Sequence, residues 1–177
     1  LPVITGIATS KEKIFRFILL QKQKGYQTYV VCPLIDRSEK LEGVQSVEEV
    51  SAEYRSVLEP YGVRIETVTG KMGKTETEDI LSRFKDGQVD VLVSTTVVEV
   101  GVNVPTATMM VIVNADRFGL SSLHQLRGRV GRSSVQSYCV LEAGASPTPA
   151  AMERLNAMVQ TNNGFEIAEA DLRIRGA

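Results

Sequence analysis

The chain has 177 residues, 43% of them hydrophobic and 23% charged, with a net charge of −1 and a pI near 6.0. That length supports one domain with a substantial core, and the near-neutral balance argues against nucleic-acid binding by bulk charge alone. No apolar run approaches the roughly 18 residues of a membrane span, no signal-peptide pattern is present, and Cys32 and Cys139 have no metal-ligand spacing, so a reducing cytoplasm and no metal site are expected.

Residues 2–8 read as a short extended lead-in. Ser10 is placed to cap a helix running to about Lys24, with Ile14, Phe17, Ile18 and Leu20 near one face and Gly25 as its stop. Residues 29–34 form a continuous apolar run of the buried-parallel-strand kind. The polar stretch 36–45, with Gly43, predicts a mobile loop. Ser46-x-x-Glu49 and Thr75-x-x-Glu78 both have capping-box spacing. The first box predicts a helix to Glu59, closed by Pro60 and Gly62. The second predicts one ending at Gly87, with Ile80, Leu81 and Phe84 inward. Residues 63–69, 89–95, 108–114 and 138–142 have strand character, and 148–160 reads as a helix. Strands alternating with helices predict an α/β fold whose mainly parallel sheet is covered on both faces.

The densest chemistry lies in residues 121–132, SSLHQLRGRVGR. Gln125-x-x-Gly128-Arg129-x-Gly131-Arg132 packs three arginines and two glycines into eight residues, and from Arg117 to Arg132 there are four arginines and no acid. Arg129 and Arg132 stand three apart, which on a helix is one face. Two planar, multi-donor cations aimed one way can clamp a phosphate. Gly128 and Gly131 leave the backbone open to close approach, although each glycine costs a helix about 1 kcal/mol relative to Ala. A solvated basic face closed by a helix-ending glycine is the alternative. His124 has no Ser, Cys or carboxylate partner at a recognisable spacing, so packing or a hydrogen bond is expected of it. Phe118 reads as core.

Two other stretches imitate or supply phosphate contacts. Gly73-Lys74-Thr75 follows a predicted strand and precedes a predicted helix, as the end of a P-loop does. The full pattern G-x-x-x-x-G-K-[ST] needs glycine at position 68, where β-branched Val68 stands, and Gly70 is two positions too close. With Asp116 imitating an Mg²⁺-binding acid, a self-sufficient P-loop enzyme stays open. A non-enzymatic nucleic-acid-binding module built on the arginine cluster stays open too. Residues 94–105, STTVVEVGVNVP, offer two threonine hydroxyls, a glycine and an amide before Pro105. Threonine hydroxyls and turn amides position phosphates without reading bases. A Thr-capped turn is the competing explanation, strongest for Thr96.

QLRGRVGR resembles motif VI of the superfamily-two helicases. The longer run NADRFGLSSLHQLRGRVGR from Asn114, followed by QSYCVL, is similar to the bacterial RecG branch-migration helicases. The resemblance covers nearly the whole chain as their second RecA-like motor domain. A related transcription-repair coupling translocase shares ADRFGL and QLRGRVGR. It usually carries an aromatic residue at the position of His124, however, and lacks a tail like Gln136-Ser137-Tyr138-Cys139.

The resemblance implies a RecA-like helicase C-terminal domain over residues 1–160 and the truncated start of a translocation-coupling segment over 161–177, in a fragment cut at both ends. It implies ATP and Mg²⁺ bound mainly by a missing first motor domain. Arg129 and Arg132 are then the catalytic arginine fingers, Gln125 helps to order the site, and Gly101 and Asn103 approach the nucleotide. Relatives usually have Asp at position 103; Asn103 keeps an acceptor for a ribose hydroxyl but loses the charge. Thr69, Gly70, Thr95 and Thr96 become contacts to the nucleic-acid backbone, although many relatives carry His where Thr69 stands. Glu99 faces the same cleft. The implied activity is ATP-dependent unwinding of branched DNA such as stalled forks and Holliday junctions, in repair and recombination. Its agent would be a monomeric cytoplasmic protein whose upstream motor and wedge domains lie on the same chain, with no membrane partner.

Overall fold

Strands made of Val, Leu, Met and Thr and buried at every position need cover on both faces. The computed structural model, which describes residues 1–8, 10–35, 43–95, 104–131, 133–162 and 164–176, supplies it. In chain order the elements are β1 (Ile4–Ala8), α1 (Lys11–Gln23), β2 (Gln27–Cys32), α2 (Val47–Leu58), β3 (Ile65–Val68), α3 (Lys74–Lys85), β4 (Val91–Thr95), β5 (Ala107–Ile112), α4 (Leu120–Arg127), β6 (Tyr138–Glu142), α5 (Pro149–Gln160) and α6 (Gly164–Gly176). Among the described residues the strands form one six-stranded sheet in the order β1-β6-β5-β2-β4-β3, and each pairing is parallel. The carboxyl ends of all these strands therefore open on one edge, where α/β proteins build their ligand sites.

The two-residue period of the strands divides the core. Tyr29, Val31, Leu92, Met110, Ile112 and Leu141 face Phe84, Leu120, Leu123 and Leu155, from α3, α4 and α5. Val30, Cys32, Val91, Val93, Met109 and Val111 face Ile14, Ile18, Val50 and Tyr54, from α1 and α2. Ile167 and Ala170 of α6 join the first of these clusters. Cys32 and Cys139 are free and buried, and burial pushes each thiol up to about 12.

Several expectations shift in three dimensions. The lead-in at 2–8 contains the edge strand β1, which pairs with β6 from Ile4↔Tyr138 to Ala8↔Glu142. On α1 the inward face is Ile14, Phe15, Ile18 and Gln21, while Leu20 is 51% exposed; Ser10 makes no side-chain cap bond. β2 begins two residues before the apolar run because Gln27 is buried in the ladder, its amide donating to the carbonyls of Phe84 and Val89. Ser46 forms the expected capping box with Glu49. Thr75 does not cap: α3 starts at Lys74 with Gly73 as its N-cap. The loop expected at 36–45 lies outside the described residues except for its last three.

At the opposite, amino edge of the sheet, Asp90 ties three segments together. It accepts the backbone N–H of Arg64 at 2.8 Å, its guanidinium at 3.0 and 3.1 Å, and Lys22 Nζ at 3.1 Å. No helix among the described residues is long and apolar enough to cross a membrane.

Candidate functional site

The chain leaves β5 through Asn114, in the left-handed region at φ 50°, and a single 3₁₀ turn, Ala115–Arg117, then enters α4 with Gly119 as N-cap. Leu120, Leu123 and Arg127 point into the protein, while Gln125 is exposed. Gly128 caps the helix, and the chain continues in a hydrogen-bonded turn. Arg129 N–H donates to Leu126 O at 3.0 Å and Val130 N–H to Arg127 O at 3.2 Å. Arg129 therefore lies beyond the helix, which ends at Arg127, and not on a helical face as its spacing to Arg132 predicts. Gly128 stops the helix, and Gly131, at φ +84°, takes the left-handed conformation that glycine adopts at low cost. Arg132 itself lies outside the described residues.

The arginines of this stretch divide by environment. Arg127 is 3% exposed; its Nη1 donates to Met158 O at 2.6 Å, at the end of α5, and to Thr5 Oγ1 of β1 at 3.3 Å. Burial holds its pKa below the ordinary value, yet a guanidinium stays charged in proteins. Arg129 instead lines a cleft of about 320 Å³ at the carboxyl edge, between the ends of β2 and β5. Pro33, Leu34, Arg117, Phe118, Gly119, Ser122, Gln125 and Leu126 complete its wall. Two cations and a carboxamide meet there, and among the described residues no carboxylate joins the lining.

Gln125 and Arg129 thus line one cleft. By sequence Arg117 belongs only to the acid-free stretch, and Pro33 and Leu34 only to a strand-like run. The signal for all three was their place just after a strand's carboxyl end. Phe118 is core, 6% exposed. His124 is half-buried, and its Nδ1 is buried without a hydrogen-bond partner.

The other expected contacts lie further along the same edge. Register sets Val68 beside Ser94, so Thr69 and Thr95 leave the sheet next to each other. Gly70 is exposed, with open space where a Cβ would be; Thr95 is buried at 6% exposure and its Oγ1 has no partner among the described residues. Thr96, Glu99, Gly101 and Asn103 lie outside the described residues. The imitation P-loop is not built as one. The Lys74 side chain is 90% exposed and reaches only Glu78 at 3.9 Å, while Asp116 Oδ1 accepts the N–H of Gly144 at 2.8 Å. Among the described residues no group of three or more His, Cys, Asp or Glu could hold a metal ion.

The family model for the helicase conserved C-terminal domain matches residues 10–134. The ATP-dependent DNA helicase RecG of Staphylococcus aureus is 51% identical over 178 residues, covering 99% of this chain and 25% of that protein. The RecG of Staphylococcus epidermidis is 54% identical over 155 residues, 87% of this chain and 22% of that protein. The chain thus spans about a quarter of the length of the curated relatives it matches. Among solved structures, RecG bound to a three-way DNA junction matches with a TM-score of 0.77 and 36% identity, over 98% of this chain and 22% of that one. The Mycobacterium smegmatis helicase Lhr, bound to ssDNA and AMP-PNP, matches with a TM-score of 0.64 at 15% identity, over 96% of this chain and 22% of that one, a likeness of fold alone. A parallel sheet with a cationic cleft on its carboxyl edge and these likenesses agree: the chain belongs to the helicase conserved C-terminal domain family, and along 99% of its length it is similar to the RecG helicases.

Proposed function

We propose that this chain is the second motor domain of an ATP-dependent DNA helicase that branch-migrates Holliday junctions and reverses stalled replication forks. The carrying observation is the cleft in which Arg117, Arg129 and Gln125 stand together, with no carboxylate among the described lining residues. Phosphoryl transfer is helped chiefly by positive groups held where charge spreads over the γ-phosphoryl oxygens, and an arginine supplied across an interface is worth about 10³–10⁵ in rate. This cleft offers such cations. Val68 breaks the P-loop pattern, and Asp116 is occupied by Gly144.

ATP therefore sits on a first motor domain of the same protein, and closure of the two domains brings Arg129 and Arg132 to it. Gln125 orders the phosphate end, and Gly101 and Asn103 approach the nucleotide beyond β4. Among the described residues this cleft gives Mg²⁺ no carboxylate, and the ion stays with the first motor domain. DNA runs along the half of the edge formed by β3 and β4, where Thr69, Gly70, Thr95 and Thr96 contact its backbone; the buried Thr95 hydroxyl, without a partner among the described residues, supports that assignment. Residues 161–177 begin the segment that couples domain closure to DNA movement. The protein works as a cytoplasmic monomer.

The test is junction-stimulated ATP hydrolysis by the full-length protein carrying Arg129→Ala or Arg132→Ala. A loss of about a hundredfold or more, with ATP and junction binding retained, is the outcome expected of an arginine finger. Wild-type turnover by both variants would overturn the proposal.

A further inference from the structure

The turn that carries Arg129 is supported on one side by α4 and on the other by the residues that precede β1. On the α4 side, the carbonyls of Leu126 and Arg127 fix Arg129 and Val130, and Val130 is buried in the core. On the other side, Gly131 has no side chain, and the space a Cβ would take is filled. A Cβ built there would lie 2.5 Å from Cγ2 of Val3. Val3 is half-buried and packs against the same core cluster that holds Val130.

The backbone around Val3 is strapped in place. Gln136 Nε2 donates to Pro2 O at 2.8 Å and to Ser137 O at 3.0 Å, and Ile4 N–H donates to Ser137 O at 3.0 Å. The far end of the segment 128–137 thus anchors residues 2–4, and Val3 leans back onto Gly131 near its beginning. Two contacts at separate points of one segment fix its path more firmly than either alone.

We infer that Val3 is a positioning residue for the arginine turn. Its Cγ2 sets the direction in which the chain leaves Val130, and so the placement of the guanidinium two residues before Gly131. The inference rests on the reading of Arg129 as an arginine supplied to ATP. Val3 is not part of the cleft wall, so it acts on turnover rather than on nucleotide affinity. Gly131 has two reasons to be glycine, its positive φ and the methyl group of Val3 against it.

The experiment is steady-state, junction-stimulated ATP hydrolysis by the full-length protein as wild type, Val3→Ala, Val3→Ile, Arg129→Ala and the Val3→Ala/Arg129→Ala double variant. Val3→Ala should lower kcat roughly tenfold, within the cost of a small misplacement, and leave KM for ATP within about twofold. Val3→Ile keeps both γ carbons and should keep kcat at the wild-type level. In the Arg129→Ala background, Val3→Ala should cost less than about a further twofold, because both changes act through one group. A full tenfold loss in both backgrounds would overturn the inference, as would a normal kcat for Val3→Ala beside an impaired Arg129→Ala. Wild-type kcat for Arg129→Ala would instead overturn the arginine reading itself, and the inference with it.

Discussion

Arg127 and Arg129 stand two residues apart and are put to opposite uses. Arg127 is enclosed and bridges α4 to the end of α5 and to β1; Arg129 opens on the cleft. Substitution should separate them cleanly. Arg127→Ala removes a charged donor from Met158 O and the packing of a buried stem, a loss of about 3 kcal/mol. At about 2–4 °C per kcal/mol for a domain of this size, the Tm should fall by about 6–12 °C. Arg129→Ala should leave stability within about 1 kcal/mol of wild type while removing turnover from the full-length protein. Differential scanning calorimetry beside the ATPase assay checks both, and a stable, inactive Arg127→Ala protein would contradict the division drawn here.

Helix starts show how a motif can be right at one place and wrong at another. Ser46 and Thr75 are followed at the same spacing by Glu49 and Glu78, yet only Ser46 sits in extended backbone, at φ −72° and ψ 161°, with its hydroxyl accepting the Glu49 N–H. Gly73, at φ −65° and ψ 155°, takes the capping position in α3. Ser46→Ala should therefore cost about 1 kcal/mol. Thr75→Ala should be neutral within about 0.5 kcal/mol, or stabilising, because alanine is the better helix former inside the first turn. Urea midpoints of the two variants at equal m-value decide it, and equal losses would show that Thr75 caps after all.

At the scale of the molecule, Asp90 ties segments together at the amino edge and the carboxyl edge carries the cleft. Burial alone would raise the Asp90 carboxyl; the Arg64 guanidinium, the Arg64 backbone N–H and Lys22 together hold it below the usual carboxylate value. A carboxyl held low by folding contributes stability that is complete above its unfolded pKa of about 3.9 and is lost as pH falls through the folded value. Asp90→Asn should cost about 2–3 kcal/mol near neutrality and flatten the acid limb of the stability curve below about pH 4. Denaturant melts across that range test it; an unchanged acid limb would remove Asp90 from the account. The carboxyl edge makes a separate prediction. The purified 177-residue chain, with cations but no phosphate-binding loop, should show no ATP turnover. Measurable hydrolysis by it would favour a self-sufficient P-loop enzyme.

Local chemistry was enough to determine the α/β class, the strand runs around Val30, Val93 and Val111, the Ser46 cap and the glycine stops at Gly25, Gly62 and Gly87. Each depends on neighbours within a few residues: an unbroken apolar run, a reciprocal cap, a φ that only glycine takes easily. QLRGRVGR likewise marked this stretch as the densest cationic one, and Arg129 of it lines the cleft. Which arginine faces the cleft was beyond local chemistry. Spacing set Arg129 on a helix that Gly128 in fact ends, and no periodicity shows that Arg127 is enclosed by Thr5 and Met158, over a hundred and some thirty positions away. The strand status of residues 4–8 depended on β6, since an edge strand exists only through its partner. Val3 against Gly131 is of the same kind. Contacts between distant segments are settled by how the sheet orders its strands, β1 beside β6, and only the folded chain carries that order.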